Sequence, residues 1–531
     1  MTPSELRNLW RQREEVALFD AREEGPFAEA HPFFAVPLSP SRIEMSIYGL
    51  VPRRTTPVVV YDGGEGLASG TAARLRHLGY SEVSVLEGGI EGWVAAGGEL
   101  FRDVNVPIKA FGELVEATCH TPSLSAAEVH QLITERTDMV VVDVRRFSEY
   151  QTMSIPSGMS VPGTELALRI RDMAPSPDTL VVVNCAGRTR SIIGAQTLVN
   201  SGIPNRVAAL RNGTIGWTLA GLRLEHGQSR HAEDSPVSAQ SLAAALRSAE
   251  RCATATGVRE IDRQTLEQYR AEDTRRTLYC LDVRTQHEYE ARHPAGFFWA
   301  AGGQLVQATD EWLAVRGARV VLYSDEGVRA LMTGSWLAQM GWDVSVLKPE
   351  TITDCETGPA SPPRPLYPVP HAATISAAQL AASSSAIVVD LAPSPVYHRG
   401  HIPGAFFLLR SRFAADAHKL PAGGPIVVTS PDGVLAGYAA ADLGRAAGRP
   451  VNVLDGGSAG WVQAGFKFET ARHHYVSPAI DVYKRPYEGT DSTAEAMRGY
   501  IEWELKLVEQ MARDGVANFR VMTSLSGPKI C

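Results

Sequence analysis

One closing signature recurs three times along this chain. The segments Leu86–Trp93, Leu210–Trp217 and Leu454–Trp461 all follow the pattern L-x-x-G-x-x-G-W. The first two begin 124 residues apart, and the third begins 244 residues after the second, which leaves room for one more unit between them. Because each copy of a repeat folds into the same kind of unit, this periodicity constrains the fold more than any other feature.

The same three apolar segments occur in all four units in the same order. The first segment ends in Asp, and the second is followed by a short loop and an apolar-periodic helix. Short β-type runs that alternate with helices are typical of parallel sheets. We therefore predict an α/β fold of four tandem domains, each a small parallel sheet with helices on both faces, plus a C-terminal helical tail. The predicted first strands of the four units are Val16–Asp20, Val140–Asp143, Leu278–Asp282 and Ile387–Asp390. The predicted second strands are Val58–Tyr61, Leu180–Asn184, Val320–Tyr323 and Ile426–Thr429. The predicted third strands are Val83–Leu86, Arg206–Leu210, Val344–Leu347 and Val451–Leu454.

Composition changes mark the boundaries between units. A polar stretch and a proline-rich stretch, at 227–237 and 357–371, are expected to be linkers, the second one stiff and extended. The predicted domains are 1–105, 121–227, 258–350 and 372–470, followed by a tail at 471–531.

The tail contains one predicted helix. It begins with a capping box from Ser492 to Glu495 and ends near Gly515. Its apolar residues form one stripe, so the helix either packs on a domain or supports a homodimer. The residues of the stripe are Met497, Tyr500, Ile501, Leu505, Val508 and Met511.

The charge of the chain argues against several classes of partner. The 51 basic and 59 acidic residues give a net charge of −8, and no long basic run occurs. Sequence-independent binding to nucleic acid is therefore not expected. No stretch approaches the roughly 20 apolar residues of a membrane span, and charged residues interrupt the N-terminal segment too often for a secretory signal. We expect a cytoplasmic protein that binds neither nucleic acid nor membrane.

Six cysteines are spread along the chain, and none of them forms a C-x-x-C pair. Neither a zinc site nor a dithiol redox motif is predicted, and no metal or organic cofactor is expected. In a reducing compartment all six would be free thiols. The cysteines are Cys119, Cys185, Cys252, Cys280, Cys355 and Cys531.

Cys185 follows the second strand of unit two, directly before the loop and helix. The other units have Asp62, Ser324 and Ser430 at the matching position. Ligands of open parallel sheets bind at the carboxyl ends of the strands, and the N-terminus of the following helix favours an anion there. A thiol at this junction is therefore a candidate nucleophile.

The residues after Cys185 suit a reactive thiol. Arg188 and Arg190 add permanent positive charge, and with the helix N-terminus they are expected to lower the pKa of the Cys185 thiol. Gly187 permits a curved backbone whose amides turn inward as an anion-binding nest. The sequence therefore predicts a thiolate near neutral pH.

These features together resemble the rhodanese family of sulfurtransferases. The resemblance rests on the strand, the loop from Cys185 to Arg190, the helix and the closing signature, and it extends over about 400 residues. Units one to three also carry the family's D-x-R element, whereas unit four has Ala392 in place of the arginine. Unit four keeps the family's G-H-I-P-G-A run at Gly400–Ala405, and unit three lacks the closing G-x-x-G-W.

The resemblance implies an activity and a set of site residues. Cys185 would be the catalytic residue, which takes sulfur from a small anionic donor such as thiosulfate as a persulfide. Cyanide, glutathione or a protein thiol would then accept the sulfur in a ping-pong reaction. Units one, three and four would be inactive copies. The implied substrate-binding residues are Ala186, Gly187, Arg188, Thr189 and Arg190, and the implied bracing residues are Asp143 and Arg145.

Two alternatives remain open at this point. Phosphatases and arsenate reductases that use a thiolate place five residues between Cys and Arg, whereas four separate Cys185 from Arg190, so the loop is short for phosphate. The other alternative is a non-enzymatic scaffold in which unit two acts as a redox sensor, since a reactive thiol suits that role too. Catalytic turnover would distinguish an enzyme from a sensor.

Overall fold

The computed structural model of the chain describes residues 1–233, 235–360, 367–470 and 473–523. It contains four five-stranded sheets, one for each predicted unit, which confirms the predicted α/β architecture. Cys531 and residues 361–366 of the proline-rich stretch lie outside the described residues.

Unit one is built around its first strand, β1. This strand pairs in parallel with β2 and β3, and β3 pairs with β4. The elements of unit one are α1 (Pro3–Gln12), β1 (Val16–Asp20), α2 (Glu24–Glu29), β2 (Ala35–Pro37), α3 (Ile43–Leu50), β3 (Val58–Tyr61), α4 (Leu67–His77), β4 (Val83–Val85) and α5 (Gly89–Ala95).

Unit two follows a connecting helix and has an entirely parallel sheet. Its strand order is β5-β9-β8-β6-β7. The elements are the connecting helix α6 (Val106–Cys119), then β5 (Ser123–Leu124), α7 (Ala126–Thr134), β6 (Met139–Asp143), α8 (Phe147–Thr152), β7 (Met159–Ser160), α9 (Glu165–Met173), β8 (Leu180–Asn184), α10 (Thr189–Ser201), β9 (Val207–Leu210) and α11 (Gly213–Leu219).

Unit three repeats this topology after a second connecting helix. Its sheet has the order β10-β16-β15-β11-β13, and β12 pairs with β17 in a separate two-stranded ribbon. The elements are α12 (Ala239–Thr256), which is the connecting helix, β10 (Arg259–Ile261), α13 (Arg263–Ala271), β11 (Leu278–Asp282), α14 (Gln286–Ala291), β12 (His293–Pro294), β13 (Phe298–Trp299), α15 (Gly302–Gln307), α16 (Thr309–Trp312), β14 (Val315–Arg316), β15 (Arg319–Tyr323), α17 (Val328–Gln339), β16 (Asp343–Leu347), a 3-10 turn (Pro349–Thr351) and β17 (Cys355–Glu356).

Unit four has the equivalent strand order, β18-β22-β21-β19-β20, and is followed by the helical tail. The elements are β18 (Thr374–Ile375), α18 (Ala377–Ala381), β19 (Ile387–Asp390), α19 (Ser394–Arg399), β20 (Phe406–Phe407), a 3-10 turn (Arg410–Arg412), α20 (Phe413–Asp416), a 3-10 turn (Ala417–Lys419), β21 (Ile426–Thr429), α21 (Val434–Ala447), β22 (Val451–Leu454) and α22 (Gly457–Gln463), and in the tail α23 (Ala494–Glu504) and α24 (Leu507–Asp514).

Alternation along the strands explains why both faces of each sheet are covered. In unit two, Val181 and Val183 pack in one buried cluster with α9 and α10. Val182, between them, packs in a second cluster with α7 and α11 around Trp217. Successive side chains of a strand point to opposite faces, so a run of valines supplies two cores.

The four units pack against one another. A strand of unit three extends the sheet of unit one, because β14 pairs antiparallel with β1. Units two and three meet backbone to backbone, and a β-carbon built on Gly303 would lie 2.3 Å from the α-carbon of Gly163. Units one and four are joined by a buried ion pair, with 2.7 Å between Arg410 Nη1 and Glu44 Oε2. The repeat alone did not predict these contacts.

The tail differs from the single helix that we predicted. It forms two helices, and Thr493 rather than Ser492 caps the first one. The chain turns between α23 and α24, and Leu505 of the predicted stripe is 52% exposed there. The expected end at Gly515 is confirmed, since this residue adopts the left-handed conformation of a helix C-cap.

The apolar face of the tail is used within the chain. Residues of α23 and α24 pack in a buried cluster with unit one, in which Tyr500, Trp503, Leu507 and Met511 take part. The interpretation that the helix packs on a domain is thereby confirmed, and the homodimer stays a prediction.

Candidate active site

Cys185 lies at the junction between β8 and α10, at the carboxyl end of a central strand. Its side chain is 1% exposed. The thiol donates to Ser191 Oγ over 3.4 Å, while the Ser191 hydroxyl donates to the carbonyl of Arg188 at 2.8 Å. The backbone N–H of Ser191 also faces the sulfur. The sulfur therefore sits at the N-terminus of α10, where a negative charge is favoured.

The predicted lowering of the Cys185 pKa is wrong for this arrangement. Burial raises the pKa of the thiol, while the charge of Arg190 and hydrogen bonds from Ser191 lower it to a smaller extent. A thiolate loses its hydration when it is enclosed, and this cost outweighs the nearby positive charge. The sequence indicated the groups within the loop but not the elements that cover it.

Residues of the closing signature hold the loop after Cys185 through backbone hydrogen bonds. The backbone N–H of Thr214 donates to the carbonyl of Cys185 at 2.9 Å, and that of Ile215 donates to the carbonyl of Ala186 at 3.0 Å. Gly213 has φ +51°, and a β-carbon there would lie 2.3 Å from the Cys185 carbonyl oxygen. The recurrent glycine thus lets the loop approach the start of α11.

Arg188 is fully engaged by neighbouring residues. Its Nε and Nη2 donate to Glu113 at 2.7 and 2.9 Å, and Nη2 also pairs with Glu116. Its Nη1 donates to Asn212 at 3.1 Å. These partners hold Arg188 against α6 rather than towards the sulfur. All three guanidinium nitrogens of Arg188 thus donate to partners within the chain.

Arg190 is paired as well, but its charge acts on the thiol. Its two terminal nitrogens each donate to Glu149 at 2.8 Å, and its charge lowers the pKa of Cys185 against the effect of burial. Unit three contains the equivalent pair at the same spacing, Arg329 with Glu288. Because a unit without the thiol keeps this pair, we attribute to it a role in holding the loop together.

The units without a cysteine use the same position to cap the following helix. Asp62 accepts a hydrogen bond from the backbone N–H of Ala68 at 2.8 Å. Ser324 accepts one from Ala330 at 3.1 Å, and Ser430 accepts one from Ala436 at 3.2 Å, so the donor is always six residues later. Ser191 has this spacing from Cys185. An oxygen-bearing side chain thus occupies, in units one, three and four, the position that Cys185 has in unit two.

The two bracing residues form one buried unit. Arg145 donates to both carboxylate oxygens of Asp143, with 2.7 Å between Nη2 and Oδ2, and it also donates to the carbonyl of Met153 at 2.6 Å. Asn184, which directly precedes Cys185, donates to Asp143 at 2.8 Å. These bonds fix the end of β8 directly before Cys185.

The tail covers the loop, which the sequence did not predict. Glu504 is fully buried, and its Oε1 accepts a hydrogen bond from Thr189 Oγ1 at 2.7 Å. Gly187 does not have a positive φ, and its role is to leave space, since a β-carbon there would lie 3.2 Å from Cε1 of Tyr500. The signal in the sequence is Glu504 itself, a carboxylate four residues after Tyr500 and hence on the apolar face of α23.

Within the described residues, no group of three or more His, Cys, Asp or Glu side chains is arranged to hold a metal ion. None of their helices combines the length and the apolar character that a membrane span requires.

Comparisons with known proteins agree with the fold and the loop. The Rhodanese-like domain model matches residues 2–96, 125–220 and 375–464, which is more than half of the chain. The crystal structure of a thiosulfate sulfurtransferase from Pseudomonas aeruginosa is 52% identical, with a TM-score of 0.95, and the match covers 98% of this chain and 99% of that one. This chain belongs to the rhodanese family.

A second protein is similar to part of this chain. The HTH-type transcriptional regulator Rv0324 of Mycobacterium tuberculosis is 30% identical over 93 residues. The match covers 18% of this chain and 40% of the regulator, so this chain spans less than half of the regulator's length.

Proposed function

We propose that this chain is a sulfurtransferase that moves sulfane sulfur from an anionic donor such as thiosulfate to a thiophilic acceptor, through a persulfide on Cys185. The observation that supports this proposal most strongly is that one of four equivalent positions has a sulfur atom where the other three have an oxygen. Asp62, Ser324 and Ser430 bind their own helix amides, whereas unit two offers a nucleophile there. The similar protein from Pseudomonas aeruginosa is a thiosulfate sulfurtransferase, which favours thiosulfate as the donor.

The reaction consists of two displacements at sulfur. The Cys185 thiolate attacks the outer sulfur of thiosulfate, and sulfite leaves with the electron pair of the broken S–S bond. The acceptor (cyanide, glutathione or a protein thiol) then attacks the outer sulfur of the persulfide, and Cys185 leaves as a thiolate. Covalent catalysis of this type gives ping-pong kinetics.

The loop is proposed to hold the donor and the persulfide through its backbone. The amides from Ala186 to Arg190 would surround the outer sulfur, and the Arg190 charge would favour the thiolate. Arg188 would position the loop against α6 instead of binding the donor, since it is already held by Glu113 and Glu116. Asp143 and Arg145 would brace the end of β8, and no cofactor takes part in the reaction.

The sensor alternative is less consistent with the site. Redox-sensing cysteines combine a low pKa with solvent exposure. Cys185 is 1% exposed, and burial raises the pKa of its thiol. An enclosed sulfur is better suited to protecting a persulfide than to meeting oxidants in solution.

The test is thiosulfate-dependent sulfur transfer to cyanide by the full chain. Wild type should show ping-pong kinetics, and Cys185→Ser should lose turnover while it keeps the fold. Because burial opposes ionisation of Cys185, the rate of donor attack should rise with pH towards the pKa of the thiol. Turnover that survives in Cys185→Ser would refute the assignment of the nucleophile, and an inactive wild type with several sulfane donors would favour the scaffold.

A further inference from the structure

Glu504 presents an unpaired carboxylate oxygen to the thiol loop. The side chain is fully buried, and Thr189 donates only to Oε1. Among the described residues, no group forms a hydrogen bond with Oε2. A β-carbon built on Gly187 would lie 3.7 Å from this oxygen, so Oε2 faces the loop backbone two residues after Cys185. A buried carboxylate oxygen without a partner is costly, and a function at the site would explain it.

The surroundings of Glu504 poise it between two protonation states. Burial and the charge of Glu113 raise the pKa of Glu504 to about 7, although Lys109, Thr189 and Arg188 act in the opposite direction. A carboxyl group with this pKa can accept and release a proton near neutral pH. The titratable and charged groups that face it are Lys109 and Glu113 on α6, Cys185 and Arg188 on the loop, and Tyr500 on α23.

Once Glu504 is ionised, the charge balance around the loop favours an acceptor that arrives without a charge. Arg188 is neutralised by Glu113 and Glu116, and Arg190 is neutralised by Glu149. Ionised Glu504 would add a further negative charge. A neutral thiol could enter such a site readily, but it must lose its proton before it can attack a persulfide.

We propose that Glu504 is a catalytic residue of the acceptor step, the base that receives the proton of a neutral thiol as its sulfur attacks the Cys185 persulfide. This inference rests on the proposed function, since it needs a persulfide at Cys185. It extends that function by making a thiol the acceptor for which the site is built.

The step balances without any further reactant. The S–H bond of the acceptor breaks, and its proton goes to Glu504 Oε2. The electron pair of that bond becomes the nucleophile and forms a new S–S bond with the outer sulfur. The S–S bond to Cys185 breaks, and its electron pair stays on Cys185 Sγ. The acceptor leaves as a persulfide, and Glu504 returns its proton to Cys185 or to solvent.

The experiment measures discharge of the preformed persulfide in single turnover. The full chain is loaded with thiosulfate, freed of excess donor and mixed with either 2-mercaptoethanol or sulfite. Sulfite is used at a pH at which it is ionised, so it has no proton to lose. The variants are Glu504→Gln, which keeps the size of the side chain, and Glu502→Gln, a control at an exposed position of the same helix.

We expect Glu504→Gln to slow discharge by 2-mercaptoethanol by a factor of roughly 100 to 10,000, the usual contribution of general acid–base catalysis. Discharge by sulfite should change by less than about threefold or become faster, because a nearby negative charge is removed. The control should match wild type with both acceptors. Equal slowing with both acceptors would show a structural role, and no slowing would also overturn the proposal. If wild type forms no persulfide, the proposed function itself fails, which is a separate result.

A second variant tests the proton position without altering the carboxylate. The hydrogen bond from Thr189 to Oε1 lowers the pKa of Glu504, so its removal in Thr189→Val should raise that pKa. In wild type, discharge by the thiol should rise as pH passes through about 7. In Thr189→Val this rise should move to higher pH, and in Glu504→Gln it should disappear. An unchanged midpoint in Thr189→Val would contradict the assignment of the base.

Discussion

The pair between Arg190 and Glu149 links the stability of unit two to the reactivity of its thiol. Burial raises the pKa of Glu149, but the Arg190 guanidinium more than offsets this effect, and the pKa falls to about 2. Relative to the ordinary value of 4.5, this corresponds to ~3 kcal/mol of stability at neutral pH. The Glu149 side chain is 29% exposed, and solvent screening reduces the expected contribution to ~1–2 kcal/mol.

Glu149→Gln should therefore lower the free energy of unfolding by ~1–2 kcal/mol at neutral pH. The pKa of Glu149 is depressed in the folded state, so its contribution is complete above 4.5 and is lost as pH falls towards about 2. The difference between variant and wild type should shrink over that same interval. Urea unfolding at several pH values measures it.

The same substitution should make Cys185 more acidic. Arg190 loses its counter-ion, and its charge then acts more strongly on the Cys185 thiolate, so the pKa of the thiol should fall. The pH dependence of alkylation by iodoacetamide measures this shift. Glu288→Gln is the matched control, because it removes the equivalent partner of Arg329 in unit three.

The control should lose stability but leave alkylation of Cys185 unchanged. If the pKa of Cys185 stays constant or rises in Glu149→Gln, the charge of Arg190 does not act on the sulfur, and the electrostatic reasoning is wrong. If Glu149→Gln remains less stable than wild type at a pH below the pKa of Glu149, the loss of stability does not come from the ion pair.

Two further predictions concern unit three. Ser324→Cys in a Cys185→Ser background should not restore transfer from thiosulfate to cyanide, because Asp325 and Glu326 place carboxylates where unit two has Ala186 and Gly187; restored turnover would show that a thiol alone suffices. Gly303→Ala should destabilise the contact between units two and three by ~1–3 kcal/mol in urea unfolding, since its β-carbon would lie 2.3 Å from Gly163 Cα; unchanged stability would mean that the backbones separate freely.

Much of the fold could be predicted because it depends on local patterns. The strands that end in Asp20, Asp143, Asp282 and Asp390 all form as expected, since buried parallel strands read as short apolar runs. Cys185 could be located because the end of a strand and the start of a helix are also local features. The antiparallel pairing of β14 with β1 joins residues about 300 positions apart, and no local pattern encodes it.

The electrostatics of the site could not be predicted for the same reason. The partners of Arg188 on α6 lie 75 and 72 positions earlier in the chain, and Glu504 lies 315 positions after Thr189. The loop sequence therefore showed two positive charges beside the thiol but neither their carboxylate partners nor the burial of Cys185. The loop alone predicted a lowered pKa for Cys185, whereas the elements that cover the loop bury the thiol and raise its pKa. Local sequence indicated the nucleophile, and tertiary packing determined its environment.

The central claim is that sulfur is carried on Cys185, and intact-mass analysis after treatment with thiosulfate alone tests it most directly. We predict that wild type gains the mass of one sulfur atom, that peptide mapping places it on Cys185, and that addition of an acceptor removes it. Cys185→Ser should gain no mass under the same conditions. A stable adduct on another cysteine, or no adduct on wild type that nevertheless turns over, would contradict the persulfide mechanism.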